Sequence, residues 1–431
     1  MVSSFFALVR NSFAEIIRQP IYGILVVMGM VLIAFSPVIT MFTMMDDVKL
    51  TVDMGLGTIF MVGIVLAVLS ATQVISREID SKTAGAVISK PVGRFIFVLG
   101  KFVGVTLAMG LASFLFTVIL LLTVRMGVPS TASYTVDWPV FLGEVIPFLL
   151  AIALGLYANY FYRWNFTATA VRAAFPLYLV SLLGLLFVSK DWEVAVIAEG
   201  FVANNAGQVF LAACLVFLGV WVVSSVAVAA STRVNVVANV LICLGVFFIG
   251  MVSHFLFGWT VNDSWVRWEP LAEDSTVTIS GYIRTADGKP LSGVKLAGAP
   301  GNPMTGEDGR FSISVQRGES GTIDPEKGGY RFSPPERAYT DLMAARTAQR
   351  FVARRREKDL AYYMEASWWG VARVAYHIVP SLQYFWVADQ LMRPEPYIPL
   401  KYVGKSIIYA GAWCAAMVAF GAFLFERREI I

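Results

Sequence analysis

Residues 76–102 read SREIDSKTAGAVISKPVGRFIFVLGKF, a polar stretch caught between two long apolar runs. Arg77 and Glu78, then Lys82 and Thr83, then Lys90 and Pro91, then Arg94 bring charges of both signs into one short segment. Glu78 and Lys82 stand four residues apart, the spacing that places two side chains together on one helix face. Small residues (Gly85, Ser89) and the pair Gly100-Lys101 complete the pattern, with Ala86-Val87-Ile88 as an apolar face. Residues of these types make charge-assisted contacts with another protein; they do not form a nucleophile with its base. Topology alone would also place charges in a short loop, and a Pro often opens the next helix. The joint spacing carries more weight than the charges.

Other chemistry is thinly represented. A phosphate-cradling loop needs G-x4-G-K-[ST]. The nearest match is Gly404-Lys405-Ser406, with Pro399 where the earlier Gly should be, so this chain is not expected to hydrolyse ATP or to be an enzyme. His254 and His377 lie far apart in sequence, and no Ser-His-Asp set stands out. Cys214, Cys243 and Cys414 sit inside apolar runs, which makes them small packing residues rather than a disulfide or zinc framework. Asp287, Glu307 and Asp308 stand beside turn glycines and read as turn formers before calcium ligands. Acidic residues are missing from the middle of nearly every apolar run, with Glu144 near an end. That scarcity argues against a proton- or sodium-driven carrier.

These residues need elements to position them, and the composition says which. The chain is 57% hydrophobic and 15% charged, with a net charge of +4. That balance belongs to a polytopic membrane protein; so small a charge says nothing about nucleic acid, and no nucleic-acid partner is expected. Runs long enough to cross a bilayer fall at about 20–43, 55–76, 96–125, 140–162, 166–189, 206–230, 235–257 and 401–425. With both termini cytoplasmic, Arg10, Arg18, Arg77, Lys82, Lys90, Arg94, Arg163, Arg233, Arg427 and Arg428 all fall inside, as the positive-inside rule requires. Arg10, Glu15 and Arg18 occupy the place of a signal-peptide apolar core, so no cleavable signal is expected. Residues 3–19 instead place Phe5, Val9, Phe13, Ile16 and Ile17 on one face of an amphipathic helix ended by Pro20.

The composition shifts at about residue 272 to turn-rich, alternating text. Residues 276–280 and 310–315 alternate at period two, and Asp287-Gly288 and Asp308-Gly309 mark turns. A small β-sandwich is expected over 272–355, facing outward. Residues 356–400 then mix Tyr362, Tyr363, Trp368, Trp369, Tyr376, Tyr384, Phe385 and Trp386 with Glu365 and Arg373, which reads as interfacial helices before the last span.

Several blocks resemble the permeases of ABC-2-type transporters. They are LVRNSFAEIIRQPIYGI, the 76–102 segment, AASTRVNVVANVLICLGVFFIG, and HIVPSLQYFWVADQL followed by RPEPYIP and FLFERREI. The insert SGYIRTADGKPLSGVKL…TGEDGRFSISV, with SGTIDPEKGGYRFSPPERAYTDL, resembles a carboxypeptidase regulatory-like, prealbumin-type domain. The resemblance implies a mainly α membrane bundle of about eight spans with that sandwich inserted. Its parts are an elbow helix (1–19), seven spans (20–271), the sandwich (272–355), outer-face helices (356–400) and a last span with a cytoplasmic tail (401–431). The hairpin at 140–189 would be an addition to a six-span core.

On the same resemblance the chain is an exporter subunit in a bacterial inner membrane that binds no cofactor itself. ATP is bound by a cytoplasmic ATPase partner, and a second permease copy or paralogue completes the pathway. Arg77, Glu78, Lys82, Thr83, Lys90, Pro91 and Arg94 form the coupling segment, and Arg233 with Asn235, in a polar turn, make a second contact. The alternative is a membrane-anchored surface-binding or mechanotransmitting protein whose sandwich is the working part.

The one-sided charges make the topology testable. A reporter fused at Gly318 should appear outside the membrane and one fused at Ser81 inside. A cytoplasmic Gly318 would overturn both the span count and the placement of the sandwich.

Overall fold

The computed structural model describes residues 2–40, 47–80, 94–127, 137–194, 201–202, 204–257, 276–301, 303–316, 321–328, 330–339, 346–355, 374, 378–391 and 397–426. By internal contacts the chain divides into two units, Met1–Phe247 with Phe385–Ile431, and Phe248–Tyr384. Among the described residues, eight helices are long and apolar enough to cross a membrane. The chain is therefore a mainly α polytopic membrane protein with a separate β region.

An amphipathic helix, α1 (Val2–Ile17), opens the chain and buries Val9, Ile16 and Ile17 while Arg10 and Arg18 stay exposed. Pro20, which lacks an N–H to continue a helix, opens α2 (Pro20–Thr40). The following helices are α3 (Asp47–Asp80), α4 (Arg94–Met126), α5 (Trp138–Tyr162), α6 (Phe166–Leu185), α7 (Ala206–Ser231) and α8 (Val236–Phe257). A 3₁₀ turn (Leu382–Phe385) and a short α9 (Ala388–Leu391) precede the last helix, α10 (Leu400–Glu426). Of the aromatics expected in interfacial helices, Tyr384, Phe385 and Trp386 are described; Tyr362, Tyr363, Trp368, Trp369 and Tyr376 lie outside the described residues.

Burial sorts the helices into a centre and a periphery. In α3, α4 and α7, 67–72% of the most apolar stretch is buried, against 22–39% in the other five spans. The outer helices turn Ile, Leu and Phe side chains outward, as a lipid-facing surface must. The centre is closed by small residues: α7 carries buried Ala212, Ala213, Gly219, Ala227 and Ala229 and packs against α3, α4 and α10. Glycines also set the seat of α1 on α4. A Cβ on Gly100 would lie 2.6 Å from Leu8 Cδ2, and one on Gly104 would lie 2.5 Å from Ser12 Cβ.

One expectation needs correction. The polar pattern 76–102 overlaps the third apolar run: α4 begins at Arg94, close to the expected start near 96, and Lys101, taken with that pattern, is fully buried within it. Its ammonium sits 5.5 Å from the centre of the Phe97 ring, so the long apolar stem and a cation–π contact let this cation enter the bundle.

The β region holds seven strands: β1 (Thr276–Thr285), β2 (Lys295–Ala297), β3 (Arg310–Gln316), β4 (Gly321–Glu326), β5 (Tyr330–Ser333), β6 (Arg337–Tyr339) and β7 (Arg346–Arg355). They form a four-stranded sheet in the order β3-β1-β7-β5 and a three-stranded sheet in the order β2-β4-β6. β1 runs antiparallel to β3 and parallel to β7, with Ile279 opposite Ile313 and Ile283 opposite Phe351. The period-two alternation does its work here: Val277, Ile279, Phe311, Ile313 and Val315 are buried in one core with Leu296, Ile323 and Phe351. Gly288 and Gly309 take positive φ (+80° and +71°), which explains the Asp-Gly pairs as turns. Asp308 spends its carboxylate on that turn, accepting from the Arg310 N–H at 3.0 Å.

A core of this kind should fold without the membrane helices. Residues 272–355 expressed alone are expected to be soluble with β-type circular dichroism. Phe351→Ala, which empties the centre of the core, should cost about 3–5 kcal/mol and unfold the fragment at room temperature. A disordered parent fragment, or a variant as stable as the parent, would refute an independent domain.

Candidate functional site

Among the described residues, Arg77, Glu78, Arg94, Arg233 and Asn235 lie on elements that end at one end of the helical unit. Arg77 and Glu78 belong to the last turn of α3, and Arg94 is the first residue of α4. Lys82, Thr83, Lys90 and Pro91 lie outside the described residues. Beside the start of α4 stands the end of α10, where the Phe97 ring stacks on Phe425 at 5.4 Å between centres. The α7–α8 turn meets the same helix end. Arg233 Nε donates to the Leu424 carbonyl at 2.8 Å, satisfying a carbonyl that the last turn of α10 leaves without an intrahelical partner.

Asn235 occupies the cap position before α8. Its Oδ1 accepts from the Ala238 N–H at 2.9 Å, so the exposed residue expected as a partner contact has a structural task as well. One turn into α8, buried Asn239 donates to Thr72 Oγ1 of α3 at 2.7 Å and to the Ala227 carbonyl of α7 at 3.1 Å. An amide in an apolar interior must find such partners, and in doing so it pins three helices near this end. The α5–α6 turn lies here too, with Asn165 Nδ2 donating to the Arg18 carbonyl at 3.2 Å. The basic residues Arg10, Arg18, Arg163 and Arg233 are thus gathered at one end with the ends of α3 and α4, all four of them exposed.

The opposite end carries a polar centre that sequence reasoning missed. Arg125, near the last turn of α4, pairs with Asp137 at 3.2 Å, and the two side chains are 1% and 7% exposed. The same guanidinium donates to the Leu185 carbonyl at the end of α6 and to the Val188 carbonyl at 2.8 Å, and it lies 5.1 Å from the Phe201 ring centre. Asp137 in turn caps α5 by accepting from the Val140 N–H at 3.2 Å. The signal was legible as a cap, Asp137-Trp138-Pro139, with Arg125 as a cation at a helix C-terminus. Nothing in the spacing announces that the two meet across an intervening segment.

Comparison with family models, with curated proteins and with solved structures returns no match.

The cap made by Asn235 can be tested by itself. Asn235→Ala should lower stability by about 1 kcal/mol, while Asn235→Asp, which keeps an accepting oxygen, should hold close to the parent. Thermal unfolding of the purified chain reads the difference. Equal midpoints for all three proteins would remove the cap from the account.

Proposed function

We propose that this chain is the transmembrane permease subunit of an ATP-binding cassette exporter of the ABC-2 type, driven by a separate cytoplasmic ATPase. The observation that carries the proposal is the length and placement of α3 and α4. At 34 and 33 residues they run about 50 Å each, against a hydrocarbon layer of about 30 Å. Their polar termini, residues 77–80 of α3 and Arg94 of α4, lie at the end where Arg233 and Asn235 also gather. Two long helices that end together at a charged segment suit contact with a soluble subunit.

The mechanism follows from that arrangement. ATP-driven closure of the ATPases draws the coupling segments together, and α3 and α4 carry the displacement through the bilayer to reorient the spans. The positive-inside rule puts this end in the cytoplasm of a bacterial inner membrane, with the β region, of carboxypeptidase regulatory-like type, outside as an accessory. α1 serves as the elbow helix, its apolar side seated on α4 and Arg10 exposed. Two permease copies, or one with a paralogue, complete the pathway.

If residues 77–94 dock on an ATPase, loss of one charge-assisted contact at a partly desolvated interface costs about 2–5 kcal/mol, largely as the unpaired charge left behind. Glu78→Lys should therefore abolish co-purification of the ATPase and its stimulated turnover in reconstituted membranes, with insertion intact. Glu78→Gln should be milder, because a neutral hydrogen bond survives. An unchanged Glu78→Lys protein would make the segment a topological element and remove the main support for the proposal.

A further inference from the structure

A cavity of about 150 Å³ lies among α2, α4, α5 and α6, lined by Met30, Val31, Ile119, Glu144, Phe148 and Tyr178 among others. Its lining is almost wholly apolar apart from Glu144. Glu144 is six residues into α5, about 9 Å below its start. That depth is inside the apolar span, where a carboxylate is costly and is kept for a task. Thr123 Oγ1 donates to Glu144 Oε1 at 3.2 Å, and among the described residues no hydrogen bond reaches Oε2. Tyr178 cannot supply one, because its hydroxyl donates to the Glu144 backbone carbonyl at 3.0 Å. Met30 and Tyr178 are buried at the floor, whereas Val31 is 46% exposed and brings the cavity to the bundle surface.

A carboxylate with an unused oxygen asks for a cation. Phe148 and Tyr178 in the same lining supply aromatic rings, whose negative faces attract positive charge. The aliphatic remainder admits only an apolar body, and a cavity of about 150 Å³ holds a group the size of a benzene ring. We infer that this cavity is a binding site for a small apolar cation, an aryl- or alkylammonium whose charge sits against Glu144 and whose body fills the space between α2 and α5. The site stands apart from the coupling end and does not depend on an ATPase partner.

The test uses the full chain alone in neutral-lipid nanodiscs, with protein-free discs as the blank. The probe is fluorobenzylammonium followed by fluorine NMR, with fluorobenzyl alcohol and fluorobenzoate as neutral and anionic counterparts of the same shape. Saturable binding is expected for the ammonium, weaker binding for the alcohol and none for the benzoate. Glu144→Gln keeps an oxygen for Thr123 and should weaken the ammonium by at least about tenfold while leaving the alcohol unchanged. Ala34→Phe, which fills the cavity from α2 and leaves Glu144 in place, should remove both. Should Glu144→Gln disturb folding, judged by its unfolding midpoint, Ala34→Phe decides alone. The inference is overturned by alcohol binding as tight as the ammonium, by a folded Glu144→Gln that binds like the parent, by binding that survives Ala34→Phe, or by no saturation above protein-free discs.

Discussion

Arg125 is the group on which the helical unit most depends. A guanidinium buried at the end of a span has five N–H donors to satisfy and no water to satisfy them. Asp137 and the carbonyls of Leu185 and Val188 answer that need, which draws the start of α5 and the end of α6 onto α4. Asn204 Nδ2 adds a bond to the Val124 carbonyl at 2.9 Å just ahead of α7. Removing Asp137 would leave a buried charge without its counter-charge, a change that costs far more than a surface pair is worth. The α5–α6 hairpin packs mostly on itself and exposes its apolar outer faces, so this tie, with Thr123–Glu144 and Asn165–Arg18, joins it to the rest.

Elsewhere the same rule about partnered polar groups operates at smaller scale. Thr72, Thr117 and Ser224 return their hydroxyls to carbonyls four residues earlier, which removes a donor from the apolar interior at no cost to the helix ladder. Thr40 and Thr51 meet at 3.1 Å between α2 and α3, and Tyr22 of α2 donates to the Ala108 carbonyl of α4 at 2.7 Å. Each bond is modest, yet an apolar interior offers little water to compete for it, and together with the small-residue contacts of α7 they fix which helix faces which.

How much of this the sequence disclosed depends on the range of the interaction. Spans were legible because crossing a bilayer needs a run of fixed length, and the eight helices fall close to the expected runs. Their ends were less so. α3 begins at Asp47 where the apolar run starts near residue 55, and its first turns already bury Thr51 and Val52. The two-sheet core over 276–355 was readable from alternation and Asp-Gly turns, both local signals. Long-range pairings were not. Gly100 and Lys101 read as the end of the polar pattern and as part of the run at 96–125; their surroundings, Leu8 and Phe97, are visible only once α1 is seated on α4. Glu144 read as a residue near a span end, and its cavity needs three other helices to exist.

α4 joins these observations. It packs against α1, α2, α3, α5, α6, α7 and α10, and it carries Arg94 at one end, Lys101 inside, and Thr123 and Arg125 at the other. On the proposed function a force applied at Arg94 acts on a helix whose far end is held by the Arg125 network. A helix held at one end tilts more readily than it slides. The first contacts to change would then be those nearest the force, the glycine seat of α1 and the Phe97–Phe425 stack, while Thr123 and Glu144 lie close to the pivot. The cavity beside Glu144, next to that pivot, would accordingly change least.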